Sequence, residues 1–292
     1  MRALVLGASG QIGGHLLAQL LERGHAAVGT RRSHAASALP ALDIADERAL
    51  RAAVADVKPD AIFLPAGWTW VDGCEKEPAR SRLENFERPL AVARLAASAG
   101  ATFVWYSTDY VFDGEKGPYR ETDATGPLNV YGRDKLDGEL ALAREGLPHL
   151  VIRTTTVYGP EVQGKNFVLQ VLAKARAGER LKVPSDQLAT PAFGPDVARA
   201  TLELLEREAR GIFHAAGPDL LDRASFGKLA CTVLGLDPAT VEPVSTASLQ
   251  QPARRPLRGG LVCERLSVPM RGAREGLEAL REWLSTGATR SA

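Results

Sequence analysis

Tyr131 and Lys135 stand four residues apart in Tyr131-Gly-Arg-Asp-Lys135. On a helix that spacing puts a phenol and an ammonium on one face. A carbonyl that takes hydride at carbon needs a proton at oxygen. A tyrosine at its ordinary pKa of about 10 holds that proton too tightly near neutrality. A nearby cation favours the phenolate, and a drop of about three units corresponds to roughly 4 kcal/mol of differential interaction. Lys135 is the expected cation. The plain alternative is an exposed Tyr-Lys pair, which is common on helices. Position favours the chemical reading. One loop upstream, a β-branched and aromatic run ends at Ser107-Thr108, where a hydroxyl suits a substrate carbonyl.

A second constellation lies at the N-terminus. Gly7-Ala-Ser9-Gly10-Gln11-Ile12-Gly13 follows an apolar run and opens a helical pattern. Glycines permit a tight turn and close backbone approach to a pyrophosphate, which then faces a helix N-terminus. The spacing departs from G-x-G-x-x-G. The next strand ends in Thr30-Arg31-Arg32-Ser33 with no acid. Guanidinium donors suit a 2′-phosphate, which points to NADP(H); a solvated basic turn is the alternative, and NAD(H) stays open. A bound nicotinamide would add to the positive charge near Tyr131, and Lys135 has the reach for its ribose hydroxyls.

These groups need a scaffold. Short apolar runs alternate with amphipathic stretches, the pattern of βαβ units. Strands are expected at 2–6, 25–30, 61–64, 102–107, 149–153 and 211–215. Helices are expected at 11–23, 46–57, 77–98, from about Pro127, at 166–177 and at 195–209. The fold class is α/β, a Rossmann doubly wound parallel sheet with a smaller, interleaved C-terminal lobe. Residues 1–155 form the nucleotide-binding domain, completed by about 195–216. Residues 156–194 and 217–292 form the lobe over the carboxyl edge, where such sheets bind ligands.

Composition excludes several classes. Hydrophobic residues make up 45% of 292, enough for a core. The formal net charge is +1, no footprint for nucleic acid. The three cysteines, Cys74, Cys231 and Cys263, lack metal-ligand spacing, so no metal is expected and reduced thiols are. No run is long enough for a signal peptide or a membrane span. The expectation is a cytoplasmic protein with no membrane or nucleic-acid partner. The oligomeric state stays open, a homodimer included.

The runs Ser107-Thr-Asp-Tyr-Val-Phe-Asp-Gly114, Pro118-Tyr-Arg-Glu-Thr-Asp123, Pro127-Leu-Asn-Val-Tyr-Gly132 and Lys135-Leu-Asp-Gly-Glu139 resemble the dTDP-4-dehydrorhamnose reductase family. These are extended short-chain dehydrogenases/reductases acting on nucleotide-linked 4-keto-6-deoxysugars, which makes such a sugar the expected partner. The glycine spacing is similar to the short-chain reductase variant. The resemblance covers most of the chain and includes Glu75, Asn85, the Arg153–Gly159 run, Asp186-Gln187, Thr190-Pro191 and Arg255-Pro256. It implies Tyr131 as proton donor, Lys135 as its partner and Thr108 as the carbonyl-orienting hydroxyl. Asp43 and Ile44 would bracket the adenine, although Asp43 serves equally as a turn residue. Pro65, Ala66 and Gly67 would lie along the ribose and nicotinamide. Thr69, Val71, Thr108, Asp109, Thr156 and Asn166 would face the sugar.

Two departures bear on the sugar. Thr156 stands where the family often has an aromatic residue. Trp68 and Trp70 stand where smaller residues are usual, one expected in the core and one in the site. Two rivals remain. The β subunit of methionine adenosyltransferase shares the fold and a similar Lys-Leu-Asp-Gly-Glu phrase but binds NADP as a non-catalytic regulatory subunit. An epimerase or dehydratase of the superfamily would hold NAD tightly. Arg31 and Arg32 speak against it, as does the lack of a Thr-Asp-Glu arrangement.

Overall fold

Apolar β-branched runs become strands, and the amphipathic stretches between them become helices. The computed structural model describes residues 1–33 and 38–286; residues 287–292 of the expected lobe lie outside them. Strand β1 (Arg2–Leu6) runs into helix α1 (Gln11–Glu22), followed by β2 (Ala26–Thr30), α2 (Glu47–Val57) and β3 (Ala61–Leu64). Helices α3 (Val71–Lys76) and α4 (Pro78–Arg82), a π turn (Leu83–Glu87) and α5 (Arg88–Ser98) lead to β4 (Thr102–Thr108). Then come α6 (Val130–Arg144), β5 (His149–Thr154), α7 (Phe167–Arg176), β6 (Leu181–Pro184), β7 (Leu188–Ala189), α8 (Gly194–Glu206) and β8 (Gly211–His214). Strand β9 (Leu221–Asp222), α9 (Arg223–Val233), β10 (Val241–Val244) and α10 (Ala273–Ser285) complete the described chain.

Six strands form one parallel sheet in the order β2-β1-β3-β4-β5-β8. The chain runs outward from β1 to β2, then returns to β3 on the other side of β1. That reversal opens a crevice at the carboxyl edge. Side chains alternate across the sheet. Ala3 and Val5 join Leu16 and Leu20 of α1 and Val197 and Leu202 of α8 on one face. Leu4 and Leu6 join Leu50, Val54, Leu90 and Leu142 on the other. Both faces are covered, so β1, β3 and β4 read as near-continuous apolar runs. A separate cluster packs α7, α9 and α10 around Val183 and Val241.

The expected single helix over 77–98 is divided. Glu77 has φ −126° and Pro78 starts a new helix, because proline suits a first turn and not a helix interior. The π turn then inserts an irregularity centred on Asn85. The helix expected from Pro127 starts at Val130, since the Asn129 side chain accepts a hydrogen bond from Gly132 N at 2.9 Å and caps it. The thiols of Cys74, Cys231 and Cys263 are free. No helix among the described residues is long and apolar enough to cross a membrane.

Glu139 of α6 and Arg153 of β5 form an ion pair with side chains 1% and 4% exposed. Arg153 Nε donates to Glu139 Oε1 at 3.0 Å and Nη2 to Oε2 at 2.5 Å. Removing one partner strands a buried charge, so Glu139→Ala should lower unfolding free energy by about 3–5 kcal/mol. Cutting the exposed Arg2–Asp60 bridge with Arg2→Ala should change it by under about 1 kcal/mol. Urea titration of both variants checks the contrast; equal losses would contradict it.

Candidate active site

The carboxyl ends of β1, β3, β4 and β5 open into one cleft of about 760 Å³. Its cofactor-side wall is the glycine loop. Gly7 has φ +95°, a conformation that favours glycine, and a Cβ on Gly13 would sit 2.3 Å from Gly7 O. Those two glycines answer to the chain itself. Gly10 does not: its φ of −87° suits any residue, and a Cβ there would meet only Gly7 O at 3.4 Å. What a Cβ at Gly10 would fill is the cleft in front of the α1 N-terminus, where backbone N–H groups and the helix dipole favour an anion. Buried hydroxyls of Ser107 and Thr154 line the same cleft and have no hydrogen-bond partner among the described residues. Unpaired buried donors are costly in a native protein, and a ligand in the cleft would satisfy them. The residues present therefore fit a dinucleotide.

The middle of the cleft belongs to α6. Its first turn is fixed from two directions. Asn129 caps it, and Glu75 Oε2 accepts from Val130 N at 3.0 Å. Close packing on β4 needs glycines: a Cβ on Gly132 would lie 2.1 Å from Tyr110 O, and one on Gly138 would strike the Trp105 ring. So held, α6 presents Tyr131 and Lys135 to the cleft, beside Thr108 at the end of β4.

Lys135 is 3% exposed. Its Nζ donates to Tyr106 O at 2.9 Å and lies 4.4 Å from the Trp105 ring centroid. Burial pulls its pKa down to about 8, opposed by the charges of Glu139, Cys74 and Asp134. Tyr131 behaves otherwise than expected from Tyr-Lys spacing. Burial pushes its phenol well above the ordinary value, Cys74 and Asp109 add to the shift, and a hydrogen bond with Thr108 opposes it. The ammonium stands 5.9 Å from the Tyr131 ring centroid. Desolvation outweighs the neighbouring cation in the ligand-free chain, which leaves a phenol that keeps its proton. Asp109 is also raised by burial, against hydrogen bonds from Thr155 Oγ1 at 2.8 Å and from Gly260 N and Thr108 Oγ1.

The structure brings most of the expected site residues to this one cleft: Gly7, Ser9, Gly10, Gln11, Ile12, Gly13, Arg32, Ile44, Pro65, Ala66, Gly67, Thr69, Val71, Asp109, Thr156 and Asn166 join the catalytic candidates. Arg31 and Asp43 are not on its wall. Arg31 is engaged through its backbone in a bridge with Ala41, and Asp43 Oδ1 accepts from Ala45 N at 2.9 Å in a turn. Neither tryptophan lines the cleft. Trp70 is 57% exposed, and the Trp68 ring packs under Arg80 at 4.2 Å. What matters at Trp68 is its backbone, which donates to Asn85 Oδ1 and accepts from Asn85 Nδ2, both at 3.0 Å. The π turn thus clamps the loop that carries Pro65–Gly67. Thr156 has φ +42°, a strained state for a β-branched residue and one that clusters at functional sites.

Sequence reasoning missed Glu84, Glu161, Gln163, Lys165 and Arg223 on the cleft wall. None belongs to a spacing motif. Glu84 faces Arg32 at 3.4 Å and also pairs with Arg88; its place one residue before Asn85 was the available signal. Gln163 Nε2 donates to Ser9 O at 2.8 Å, which ties the 157–166 loop to the glycine loop.

The family model of the RmlD substrate binding domain matches residues 1–285. The chain is 37% identical over 240 residues to a dTDP-4-dehydrorhamnose reductase of Sinorhizobium fredii, covering 78% of this chain and 80% of that one. A crystal structure of a dTDP-4-dehydrorhamnose reductase from Clostridium acetobutylicum superposes with TM-score 0.87 at 30% identity, covering 98% of this chain and all of the other. Another, from Bacillus anthracis in complex with NADP, does so with TM-score 0.87 at 27% identity, covering 96% and 98%.

The two glycines separate fold from ligand. Gly10→Ala should melt with the wild type yet bind a nicotinamide dinucleotide at least about tenfold more weakly, a loss of about 1.4 kcal/mol. Gly13→Ala should lose stability outright, because its Cβ meets backbone. Thermal melts and fluorescence titrations check both; unaltered dinucleotide affinity in Gly10→Ala would place the anion elsewhere.

Proposed function

The chain belongs to the RmlD substrate binding domain family and is similar to dTDP-4-dehydrorhamnose reductases, and from that premise we propose that it reduces the 4-keto group of a nucleotide-linked 4-keto-6-deoxysugar with NADPH. The observation that carries the reading is the convergence of Thr108, Tyr131 and Lys135 on one cleft with the glycine loop. NADP in the Bacillus anthracis relative and Arg32 on the cleft wall support the cofactor assignment.

When bound, NADPH supplies the hydride. Tyr131 donates the proton to the carbonyl oxygen as that oxygen gains charge. The phenol is protonated at neutral pH, as a general acid must be, but burial raises its pKa further, so releasing the proton depends on stabilisation of the phenolate once cofactor and substrate are in place. Thr108 orients the carbonyl through its hydroxyl. Lys135 would hold the nicotinamide ribose hydroxyls and stabilise the phenolate that Tyr131 becomes. Trp105 below and Tyr106 O beside the ammonium fix its position. Asp109, held by Thr155 and Gly260 N, forms the floor beside the sugar.

The rival role as a regulatory subunit makes no use of a proton donor. Tyr131→Phe keeps the ring and its packing, so NADPH affinity should survive while ketone reduction falls by about 10²–10⁴-fold, the usual contribution of general acid catalysis. Steady-state kinetics with dTDP-4-dehydrorhamnose checks it; wild-type turnover in this variant would refute the proton-donor role. Wild-type protein that binds NADPH yet reduces no 4-keto sugar nucleotide would favour the regulatory role.

A pH profile tests Lys135 separately. kcat/KM for NADPH reports the free enzyme. It should fall as pH rises through about 8, where Lys135 loses its proton. A profile flat to pH 10 would contradict the lysine's role in cofactor binding.

A further inference from the structure

Two arginines line the cleft among the described residues, Arg32 and Arg223, and only Arg32 is matched with a carboxylate. Arg153 pairs with Glu139 at 2.5 Å, Arg255 with Asp72 at 2.9 Å and Arg32 with Glu84 at 3.4 Å. Arg223, the first residue of α9, lines the cleft from the lobe side. Among the described residues its side chain makes no ion pair and no hydrogen bond. What holds it is geometry: its backbone N–H donates to Gln187 O at 3.0 Å, and its guanidinium carbon lies 4.4 Å from the Phe167 ring centroid. Stacking on an aromatic face fixes the plane of the fork and leaves its N–H edges unused. Burial lowers its pKa, with Arg255 adding to the shift and Tyr110 and Asp109 opposing it. An arginine nevertheless stays charged in a protein. Asp109 is the acid in its neighbourhood, and that carboxylate is already taken by Thr155 and Gly260 N. A partly desolvated cation with free donors and no counter-ion is an anion receptor.

The glycine loop already offers the dinucleotide phosphates a helix N-terminus, and it lies across the cleft on the sheet side. Arg223 lies on the lobe side, with Phe167 and Lys165 on the same wall. We propose that Arg223 binds the diphosphate of the sugar nucleotide through paired N–H donors and so positions the keto group at Tyr131. This rests on the sugar-nucleotide reading above. It makes Arg223 a binding and positioning residue, with no part in proton transfer.

The probe is dTDP, which carries the diphosphate without the sugar. Calorimetry should find dTDP binding to the wild type. Arg223→Gln should weaken it about 10- to 100-fold, the range for losing hydrogen bonds to a charged group. NADPH affinity should stay unchanged, and Arg223→Lys should recover part of the loss as a point charge without the fork. In turnover, KM for the sugar nucleotide should rise far more than kcat falls. Equal dTDP affinity in wild type and Arg223→Gln would overturn the inference and leave the sugar-nucleotide reading standing. No dTDP binding by the wild type would overturn both. A general structural role would weaken NADPH and dTDP together and show no rescue by lysine, and that pattern too would overturn the inference.

Discussion

Keeping one ammonium out of water is the constraint around which this site is built. Lys135 sits at 3% exposure, and burying a charge is costly unless its surroundings answer it. They do so at a distance. Tyr106 O accepts one hydrogen bond and the Trp105 face lies 4.4 Å below. Glu139, one turn further along α6, adds a favourable field while its carboxylate is committed to Arg153. Lys135 is therefore held without being neutralised, and donors remain for a ligand. Gly138 follows from the same constraint, since a Cβ there would displace the Trp105 ring.

The loops around the cleft are cross-linked by side chains reaching across the chain. Asn85 clamps Trp68, Glu75 caps α6, and Arg255 with Ala253 N holds Asp72. Asn129 Nδ2 also reaches Arg254 O at 2.8 Å. The 253–255 segment is thus fastened to α3 and to the start of α6 beside the cleft. Such second contacts restrict the geometry of the proposed catalytic groups, and geometry is where proximity and orientation act.

Much of the fold was legible because parallel strands buried on both faces leave continuous apolar runs, as in residues 2–6 and 102–108. The glycine loop and Tyr131-Lys135 were legible because backbone conformation and helix spacing write themselves into sequence. Three kinds of feature were not. The π turn at Asn85 depends on tertiary demand at the 65–70 loop, which overrides helical periodicity, whereas the break at Pro78 carried a local signal in the proline itself that the periodicity masked. Arg223 and Glu84 reach the cleft by tertiary packing alone and have no spacing signature. The direction of the Tyr131 shift turned on how far desolvation exceeds the lysine's field, a balance that only burial in three dimensions decides.

The dependence on a buried ammonium has a direct thermodynamic signature. Lys135 has a folded pKa of about 8 against an ordinary 10.5, so between those values the unfolded chain binds more protons. Wild-type stability must then rise with pH in that window by up to about 1.4 kcal/mol per unit relative to a chain lacking the group. The measurement is the unfolding free energy of wild type and Lys135→Met by urea titration from pH 7 to 10. The account predicts that the wild type gains on the variant as pH climbs through 8 and above. A difference that stays flat across the range would contradict it.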